Sequence, residues 1–288
     1  MSYARLSRSC CAVVAGGLLL AGCSDGGGED PPDRTATATA TAPSASASAS
    51  GGATPGESPA SPTSSGSGAK PTALDFVPDP ARAPKTPADA ARLATTILSG
   101  GPGSWGPGYV ARTPYLSPQG YWPVLAEGCA WETGTPPPTV LHSVTASMEL
   151  PAAGGKGTVR VTSTVTVHRT EDAADWEMAE TLEEVLRCPD QVLRAGERVT
   201  GLMSLGNAYG VGGNTTAADT VNERGKYLKD GVPGEHYYGW SQSRLGQVTV
   251  AVSAKGAPGH DEQELATAMA HASVAMLIRA ENALEAPQ

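Results

Sequence analysis

The sequence predicts an α+β domain in which helices pack on an antiparallel sheet. Two kinds of pattern carry this prediction. In some runs every second residue is apolar, which is typical of half-buried strands, and in others apolar residues recur three or four positions apart, which is typical of amphipathic helices. Along the chain these runs follow the order helix, hairpin, helix, further strands, helix. This order predicts helices packed on one antiparallel sheet.

The first predicted helix covers residues 87–99. Thr86 is a suitable N-cap, Pro87 suits the first helical position, and Asp89 stands where the acid of a capping box would. Gly100 fits the position just after a helix, where a left-handed backbone conformation is common. These signals predict both ends of the helix.

A long hairpin is predicted next, with strands at 140–150 and 159–167 around the glycine turn 154–157. A second helix is predicted over 172–187. We expect its inward face to carry Met178, Leu182, Val185 and Leu186. We expect its water-facing side to carry Glu177, Glu180, Glu183 and Glu184.

Four later segments alternate well enough to predict strands. They are residues 198–205, 220–228, 235–244 and 247–253. A final helix begins after Asp261, with Glu264 completing a capping box. Its predicted buried stripe is Leu265, Met269, Ala272 and Met276.

Residues 101–138 contain prolines and glycines that interrupt any periodicity, so this segment is predicted to be a structured loop. Tyr and Trp residues are concentrated here: Trp105, Tyr109, Tyr115, Tyr121, Trp122 and Trp131. One interpretation is a small core of rings beside a disulfide. The other is a ligand-binding surface, because a flat ring with a polar edge suits glycans or lipid-like molecules.

Overall charge excludes one class of partner. The chain has 288 residues, 20 Lys and Arg against 29 Asp and Glu, and a net charge of −9. This balance gives no electrostatic basis for binding nucleic acid or anionic lipid head groups. No two of the five histidines are spaced to hold a metal on one helix, and no cofactor motif fits, so we expect neither metal nor cofactor.

The amino terminus predicts export and anchoring. Arg5 and Arg8 precede the apolar run 10–20, which is too short to span a bilayer. The following Leu20-Ala21-Gly22-Cys23 resembles the lipobox of bacterial lipoproteins. This resemblance implies that the signal peptide 1–22 is removed and that Cys23 is acylated, with palmitate-type chains holding the protein at the outer face of the cell membrane.

Low-complexity Ser, Thr, Ala, Pro and Gly tracts follow, so residues 23–72 are predicted to be a disordered tether. One globular extracytoplasmic domain is then expected over 73–288. Cys129 and Cys188 are the two cysteines in that domain. An even pair outside the cytoplasm predicts a disulfide between them.

The stretch 235–240, Glu-His-Tyr-Tyr-Gly-Trp, brings an acid, an imidazole and rings close together, although alternation sends neighbouring side chains to opposite faces. The candidate ligand-binding residues are therefore Trp105, Trp122, Trp131, His236, Tyr238 and Trp240. No catalytic constellation can be assembled from the sequence. We therefore expect a non-catalytic binding or sensor-like module; the alternative is an envelope hydrolase or transferase with an unrecognised site.

The order of elements, and above all the glycine-led strand 243–252 before the closing helix, resembles the extracytoplasmic sensor domain of mycobacterial PknH-type kinases. The resemblance covers the later half of the chain. It implies a binding module with a central groove and no catalytic residues. That family has two disulfides, whereas this domain has cysteines for one.

Overall fold

The computed structural model describes residues 74–285. The signal peptide predicted over 1–22, the lipidation site Cys23 and the tether predicted over 23–72 all lie outside the described residues. Within residues 74–285, no helix has both the length and the apolar character needed to cross a membrane.

The described part of the chain forms three α-helices and ten strands. The helices are α1 (Pro87–Ile97), α2 (Glu171–Arg187) and α3 (Glu262–Leu284). The strands are β1 (Val110–Leu116), β2 (Trp122–Leu125), β3 (Trp131–Gly134), β4 (Val140–Leu150), β5 (Val159–His168), β6 (Gln191–Arg194), β7 (Glu197–Ala208), β8 (Asp219–Lys229), β9 (Val232–Leu245) and β10 (Val248–Lys255). A 3-10 segment, Leu98–Trp105, continues α1.

Eight strands form one antiparallel sheet in the order β1-β4-β5-β10-β9-β8-β7-β6, and β2 and β3 form a separate two-stranded hairpin. Helices pack on the large sheet, so the predicted α+β class is confirmed. The predicted hairpin is confirmed as β4 and β5, which pair along their whole length. The four later strand predictions correspond to β7, β8, β9 and β10.

Helices α1 and α3 pack on one face of the sheet and bury a continuous apolar core. Valines at alternate positions of β5 and β10, including Val165 and Val250, face the stripe predicted for the final helix, which is buried as expected. The predicted N-caps also form: Thr86 and Asp89 make a capping box, and the Asp261 side chain accepts from the Glu264 amide. The predicted end of the first helix is wrong, because α1 ends at Ile97 with Leu98 as its C-cap and Gly100 lies inside the 3-10 segment. Burial of each large apolar side chain of this core contributes about 1.5–3 kcal/mol.

The opposite face of the sheet is lined with hydroxyl groups and carries α2. Hydrogen bonds join hydroxyls across the strands in the pairs Ser143–Thr166, Thr145–Thr164 and Thr162–Ser253. Helix α2 contacts this face through polar side chains as well as apolar ones. Thr249 Oγ1 donates to Glu177 Oε2 at 2.6 Å, and Thr181 Oγ1 donates to Gln242 Oε1 at 2.7 Å.

The sheet curls toward the α2 side, which we call the concave face. Arg160 on β5 and Glu197 on β7 are separated by three strands, so a flat sheet would hold them roughly 19 Å apart at ~4.8 Å per strand spacing. Their side chains nevertheless meet, with Arg160 Nη1 3.4 Å from Glu197 Oε1. Only a strongly curved sheet allows this contact.

The predicted orientation of α2 is partly wrong. Leu186, predicted to face inward, is 84% exposed. Glu177 and Glu184, predicted to face water, turn toward the sheet and are partly buried. The prediction assumed an apolar sheet face, whereas the hydroxyl groups of the concave face provide hydrogen-bond partners for inward carboxylates.

The structured loop predicted over 101–138 contains regular elements, which corrects the prediction. Strand β1 pairs with the edge of β4, and β2 pairs with β3. These strands are short and irregular, so their own sequences carry little periodicity. Their conformation depends on partners elsewhere in the chain, which local patterns do not reveal.

The predicted disulfide between Cys129 and Cys188 is confirmed, with Cα atoms 5.5 Å apart. Cys188 is the C-cap of α2, and Cys129 lies in the turn between β2 and β3. The Cys129 carbonyl also accepts from the Val192 amide at 2.8 Å. The disulfide therefore ties the end of α2 and the start of β6 to the small hairpin.

Candidate functional site

Trp105 is a core residue, and its predicted place on a ligand-binding surface is wrong. Its side chain is 1% exposed and lies in the core between α1, α3 and the sheet. The indole Nε1 donates to Ser163 Oγ at 3.1 Å, and the ring lies 5.8 Å from that of Tyr109. A buried tryptophan whose only polar group is satisfied serves packing.

Trp122 and Trp131 lie on the β2–β3 hairpin and are partly buried. The Trp131 Nε1 donates to Gln191 Oε1 at 2.8 Å, which fixes the hairpin against β6. The two rings are thus brought to one element beside the disulfide. Their predicted role in ligand binding stays a prediction.

His236, Tyr238 and Trp240 alternate along β9 and share the concave face. Tyr238 is 8% exposed and packs with Val185 of α2, and Trp240 packs against the same small cluster. Tyr237, between them, faces the other way and contacts α3. Strand alternation therefore divides the aromatic stretch between two different surfaces.

A groove of about 360 Å³ on the α3 side involves this stretch. We call it the α3 groove. Helix α3 covers β9 and β10 but leaves β7 and β8 uncovered, so the groove runs between the helix and these outer strands. Its lining residues are Met203, Ser204, Leu205, Asn222, Glu223, Arg224, Tyr237, Trp240, Ser241, Glu262, Ala266, Met269 and Ala270.

A bulge in β7 determines which side chains enter the groove. The β7–β8 register shifts between Thr200 and Met203, and Gly201 has a φ of 59°, a left-handed conformation that glycine adopts without strain. The Gly201 amide donates to Asp190 Oδ1 at 2.8 Å, which holds the bulge in place. Because of the extra residue, Leu202 packs on the concave face while Met203 and Leu205 lie in the groove, each 62% exposed.

The floor of the groove depends on a second glycine. The Tyr237 hydroxyl donates to Met269 Sδ at 3.8 Å. The two groups meet beside Gly239, which lies two residues further along the same strand. A Cβ at position 239 would lie 2.4 Å from the Tyr237 hydroxyl and 2.7 Å from Met269 Sδ. Glycine therefore leaves the space in which the tyrosine and methionine meet.

An ion pair bridges the groove near the start of α3. Arg224 Nη1 on β8 lies 2.8 Å from Glu262 Oε1. Burial raises the pKa of the Tyr237 hydroxyl, Glu262 raises it further, and Arg224 opposes the rise. The tyrosine hydroxyl thus lies close to both charges, and the groove combines apolar walls with this charged bridge and with polar side chains such as Asn222 and Ser241.

The concave face holds two carboxyl groups in unusual surroundings. Glu223 is 8% exposed, and its closest hydrogen-bond partner is Ser204 Oγ at 3.5 Å. Burial raises the pKa of Glu223 to about 8, with a further contribution from the charge of Glu184. Burial likewise raises the pKa of Glu184 to about 7. Tyr238 lies near both, since each raises its pKa in addition to the effect of burial.

A hydrolase of the Ser-His-acid type needs a hydroxyl or thiol against a histidine that an acid orients. His168 Nε2 lies 2.8 Å from Glu177 Oε2, but its Nδ1 is buried without a partner, and Thr249 donates to the acid instead. Within residues 74–285, no side-chain hydroxyl hydrogen bonds to a histidine ring. In the same range, no group of three or more His, Cys, Asp and Glu side chains is placed to hold a metal ion.

Sequence reasoning missed most of the α3 groove. It selected Trp240, which is among the lining residues, and Tyr238, which is not, whereas the neighbouring Tyr237 supplies the ring that contacts α3. A signal was available in the sequence. Ala254 of β10 belongs to the core under α3 and lies opposite Gly239 of β9. Tyr237, two residues from Gly239, therefore faces the same side. Met203 and Leu205 could not be assigned, because the bulge at Gly201 reverses the alternation of β7.

Comparisons with known proteins give little further information. No family model matches the chain, and no curated protein matches it. Among solved structures, the chain is similar to an uncharacterized protein from Mycobacterium smegmatis described as the Rv0999 ortholog, at 15% identity. The match covers 65% of this chain and 96% of that one, with a TM-score of 0.33, which is too low to assign a function.

Proposed function

We propose that this chain is a lipid-anchored protein of the outer face of the cell membrane, whose domain binds a lipid-like envelope molecule in the α3 groove. The domain would act as a sensor-like, non-catalytic module. The Leu20-Ala21-Gly22-Cys23 stretch supports the anchor. The binding role depends on the groove itself, a partly open cleft on an otherwise uncovered part of the sheet.

The lining favours an apolar ligand with a polar end over a glycan. Met203, Leu205, Met269 and two alanines of α3 provide the apolar walls. Methionine side chains adapt to ligands of different shape, which suits acyl chains. Arg224 and Glu262 provide one charged pair, and the hydrogen-bonded pair Asn222 and Ser241 adds further polar groups, which would orient a mostly apolar ligand.

The volume and exposure also fit this proposal. Sites for small ligands occupy about 300–1,000 Å³, and the α3 groove lies near the lower end of that range. Met203 and Leu205 are exposed although they are large and apolar. A ligand that covered them would gain about 25 cal/mol for each Å² of apolar surface removed from water.

The proposal can be tested with a dansyl-labelled fatty acid and the full-length chain carrying Cys23→Ala, which removes the proposed acylation site. We expect saturable binding, measured by fluorescence. Leu205→Asp should weaken this binding at least tenfold, because it places a charge on the apolar wall. Leu186→Asp is the matched control, since Leu186 is equally apolar and 84% exposed but lies on α2.

Both substitutions are at exposed positions, so each variant should keep the melting temperature of the parent. Absence of saturable binding by the parent, or an equal effect of the two substitutions, would contradict the groove as the site. The anchor is tested separately by cell fractionation. Cys23→Ala should move the protein out of the membrane fraction, and a variant that stays there after a salt wash would contradict lipidation at Cys23.

A further inference from the structure

The uncovered end of the concave face carries a cluster of positive charge. Three cationic side chains from three different strands meet there on a single carboxylate, Glu197 of β7. They are Arg160 of β5, Arg194 of β6 and Lys255 of β10. We call these four residues the basic cluster. The curl of the sheet brings them together, since β5 and β6 are far apart in the strand order.

The geometry leaves much of the hydrogen-bonding capacity of the cluster unused. Glu197 Oε1 accepts from Arg194 Nη2 and from Arg160 Nη1 at 3.4 Å, and Oε2 accepts from Lys255 Nζ at 3.1 Å. Each cation uses one nitrogen for this purpose. Among residues 74–285, these are the only side-chain hydrogen bonds and ion pairs the three cations make.

Charge is unbalanced at this place. One carboxylate faces three cations, a surplus of two positive charges in a chain whose net charge is −9. The next charged residues by strand register are Glu149 opposite Arg160 and Lys229 opposite Glu197, one of each sign, which leaves the surplus unchanged. The two guanidinium groups share one oxygen, so they repel each other at close range.

The four residues of the basic cluster differ in how far their side chains are buried, and this difference indicates their roles. The Glu197 side chain is 4% exposed, whereas those of Arg160, Arg194 and Lys255 are 32%, 51% and 24% exposed. The carboxylate is thus a fixed internal counter-charge, and the cations are accessible from solvent. Burial lowers the pKa of Lys255, Glu197 opposes this, and Arg194 and Arg160 lower it further, as a surplus of positive charge requires.

Two neighbouring groups extend the cluster. The ring of Tyr227, which is 4% exposed, lies 5.6 Å from Lys255 Nζ and holds the lysine in place. His236, opposite Tyr227 in the β8–β9 register, has a buried Nε2 without a hydrogen-bond partner. A further buried polar atom therefore belongs to a residue of the same face, paired in register with Tyr227.

We infer that the basic cluster binds a compact oxyanion, such as a phosphate, sulfate or carboxylate group, through the free N–H donors of Arg160, Arg194 and Lys255. Arginine side chains match the planar or tetrahedral oxygen arrangement of such groups, and hydrogen bonds between ions are about twice as strong as neutral ones. Glu197 orients the three donors. The anion relieves their mutual repulsion, and the site lies on the face opposite the α3 groove.

The test uses the full-length chain with Cys23→Ala and inorganic phosphate as the probe, with sodium chloride at equal ionic strength as reference. We expect saturable phosphate binding by calorimetry and a higher melting temperature in phosphate than in chloride. Arg194→Gln should weaken binding about tenfold or more, because it removes one charge-assisted contact. Arg92→Gln is the control, since Arg92 is an exposed arginine on α1 that also pairs with a carboxylate.

A second variant separates binding from folding. Glu197→Gln removes the counter-charge, so a protein that stays folded should bind phosphate more tightly, the reverse of the Arg194→Gln effect. Vesicles with phosphatidylglycerol distinguish the source of the oxyanion: binding of vesicles that depends on Arg194, without binding of free phosphate, assigns it to a lipid head group. The inference is overturned if neither phosphate, sulfate, acetate nor these vesicles bind in an Arg194-dependent manner. Arg194→Gln should leave the fatty-acid binding of the α3 groove unchanged, so the two proposals fail independently.

Discussion

The two faces of the curled sheet are built on different principles. On one face, α1 and α3 enclose a continuous apolar core that includes Trp105. On the concave face, α2 covers a smaller apolar cluster that includes Val199, Leu202 and Tyr238, with hydroxyls and the carboxyl groups of Glu184 and Glu223 nearby. Both helix layers obey an amphipathic pattern in the sequence, yet only one of them packs mainly through apolar contacts.

This difference shows which helix layer provides most of the stability and which layer is more easily rearranged. Apolar burial on the α1 and α3 face contributes stability that depends little on pH or salt. The concave face depends on buried polar groups, which cost free energy wherever a hydrogen bond is missing. Trp240 Nε1 and His168 Nδ1 are buried there without a partner. Helix α2 is therefore the layer whose attachment is easier to change.

The largest expected effect tests the apolar face. Trp105→Ala should lower the free energy of unfolding by about 3–5 kcal/mol, because it removes a ring that is fully buried. The control is Trp176→Ala on the outer side of α2, where the ring is 70% exposed and the expected change is within about 0.5 kcal/mol. Chemical denaturation of both variants checks this. A loss below about 1 kcal/mol for Trp105→Ala would show that the face does not depend on its buried ring.

A somewhat smaller effect is expected from the disulfide, which holds α2 from outside. The two cysteines are 59 residues apart in sequence, and a cross-link of that size contributes about 2–4 kcal/mol. Replacing both Cys129 and Cys188 by alanine should lower stability by this amount. Amide exchange should then become faster in the last turns of α2 than in α3. Equal acceleration in both helices would mean that α2 is not attached separately.

The sequence predicted the class of fold and most of its elements because those follow from periodicity and caps. The final helix shows this well, since Asp261 and the stripe from Leu265 to Met276 were both identified correctly. The same reasoning placed Leu186 inward and Glu184 outward, because it could not show which sheet face α2 would meet. The hydroxyls of that face come from the β4–β5 hairpin and from β10, and the paired Thr162 and Ser253 are 91 residues apart in sequence.

The candidate sites were harder to predict for a related reason. The α3 groove depends on a one-residue bulge at Gly201, and such a shift reverses every later side chain of β7. The basic cluster depends on the curl of the sheet, which brings Arg160 to Glu197 across three strands. Neither feature leaves a local pattern in the sequence. The disulfide was predictable because the signal peptide and the lipobox account for three of the five cysteines and leave two to pair.

The last expected effect concerns the buried carboxyl group of Glu223. It is no larger than the effect of the disulfide, and it has the opposite sign. Its pKa is raised to about 8 in the folded protein from an ordinary value of 4.5, first by burial and then by Glu184. The folded state therefore holds the proton more tightly than the unfolded state. The stability this provides is complete below about pH 4.5 and is lost as the pH rises through about 8.

Glu223→Gln should remove this dependence and make the domain more stable than the parent at pH 8.5, by an amount on the order of 2–4 kcal/mol, since each pKa unit corresponds to about 1.4 kcal/mol.

Glu184 titrates in the same direction with a pKa of about 7, so some decline of stability with pH should persist in the variant. Glu197 acts only in acid, because Arg194 and Lys255 outweigh its burial and hold its pKa at about 2. Glu235→Gln, at an exposed position of β9, is the matched control and should change the profile little. Thermal unfolding from pH 5 to pH 8.5 measures all three proteins. Two results would contradict this prediction: a parent stability that does not change between pH 5 and pH 8.5, or a Glu223→Gln variant that is less stable than the parent at pH 8.5. Either result would show that the concave face tolerates a charged Glu223. The two faces of the sheet would then differ less in their response to pH than the structure indicates.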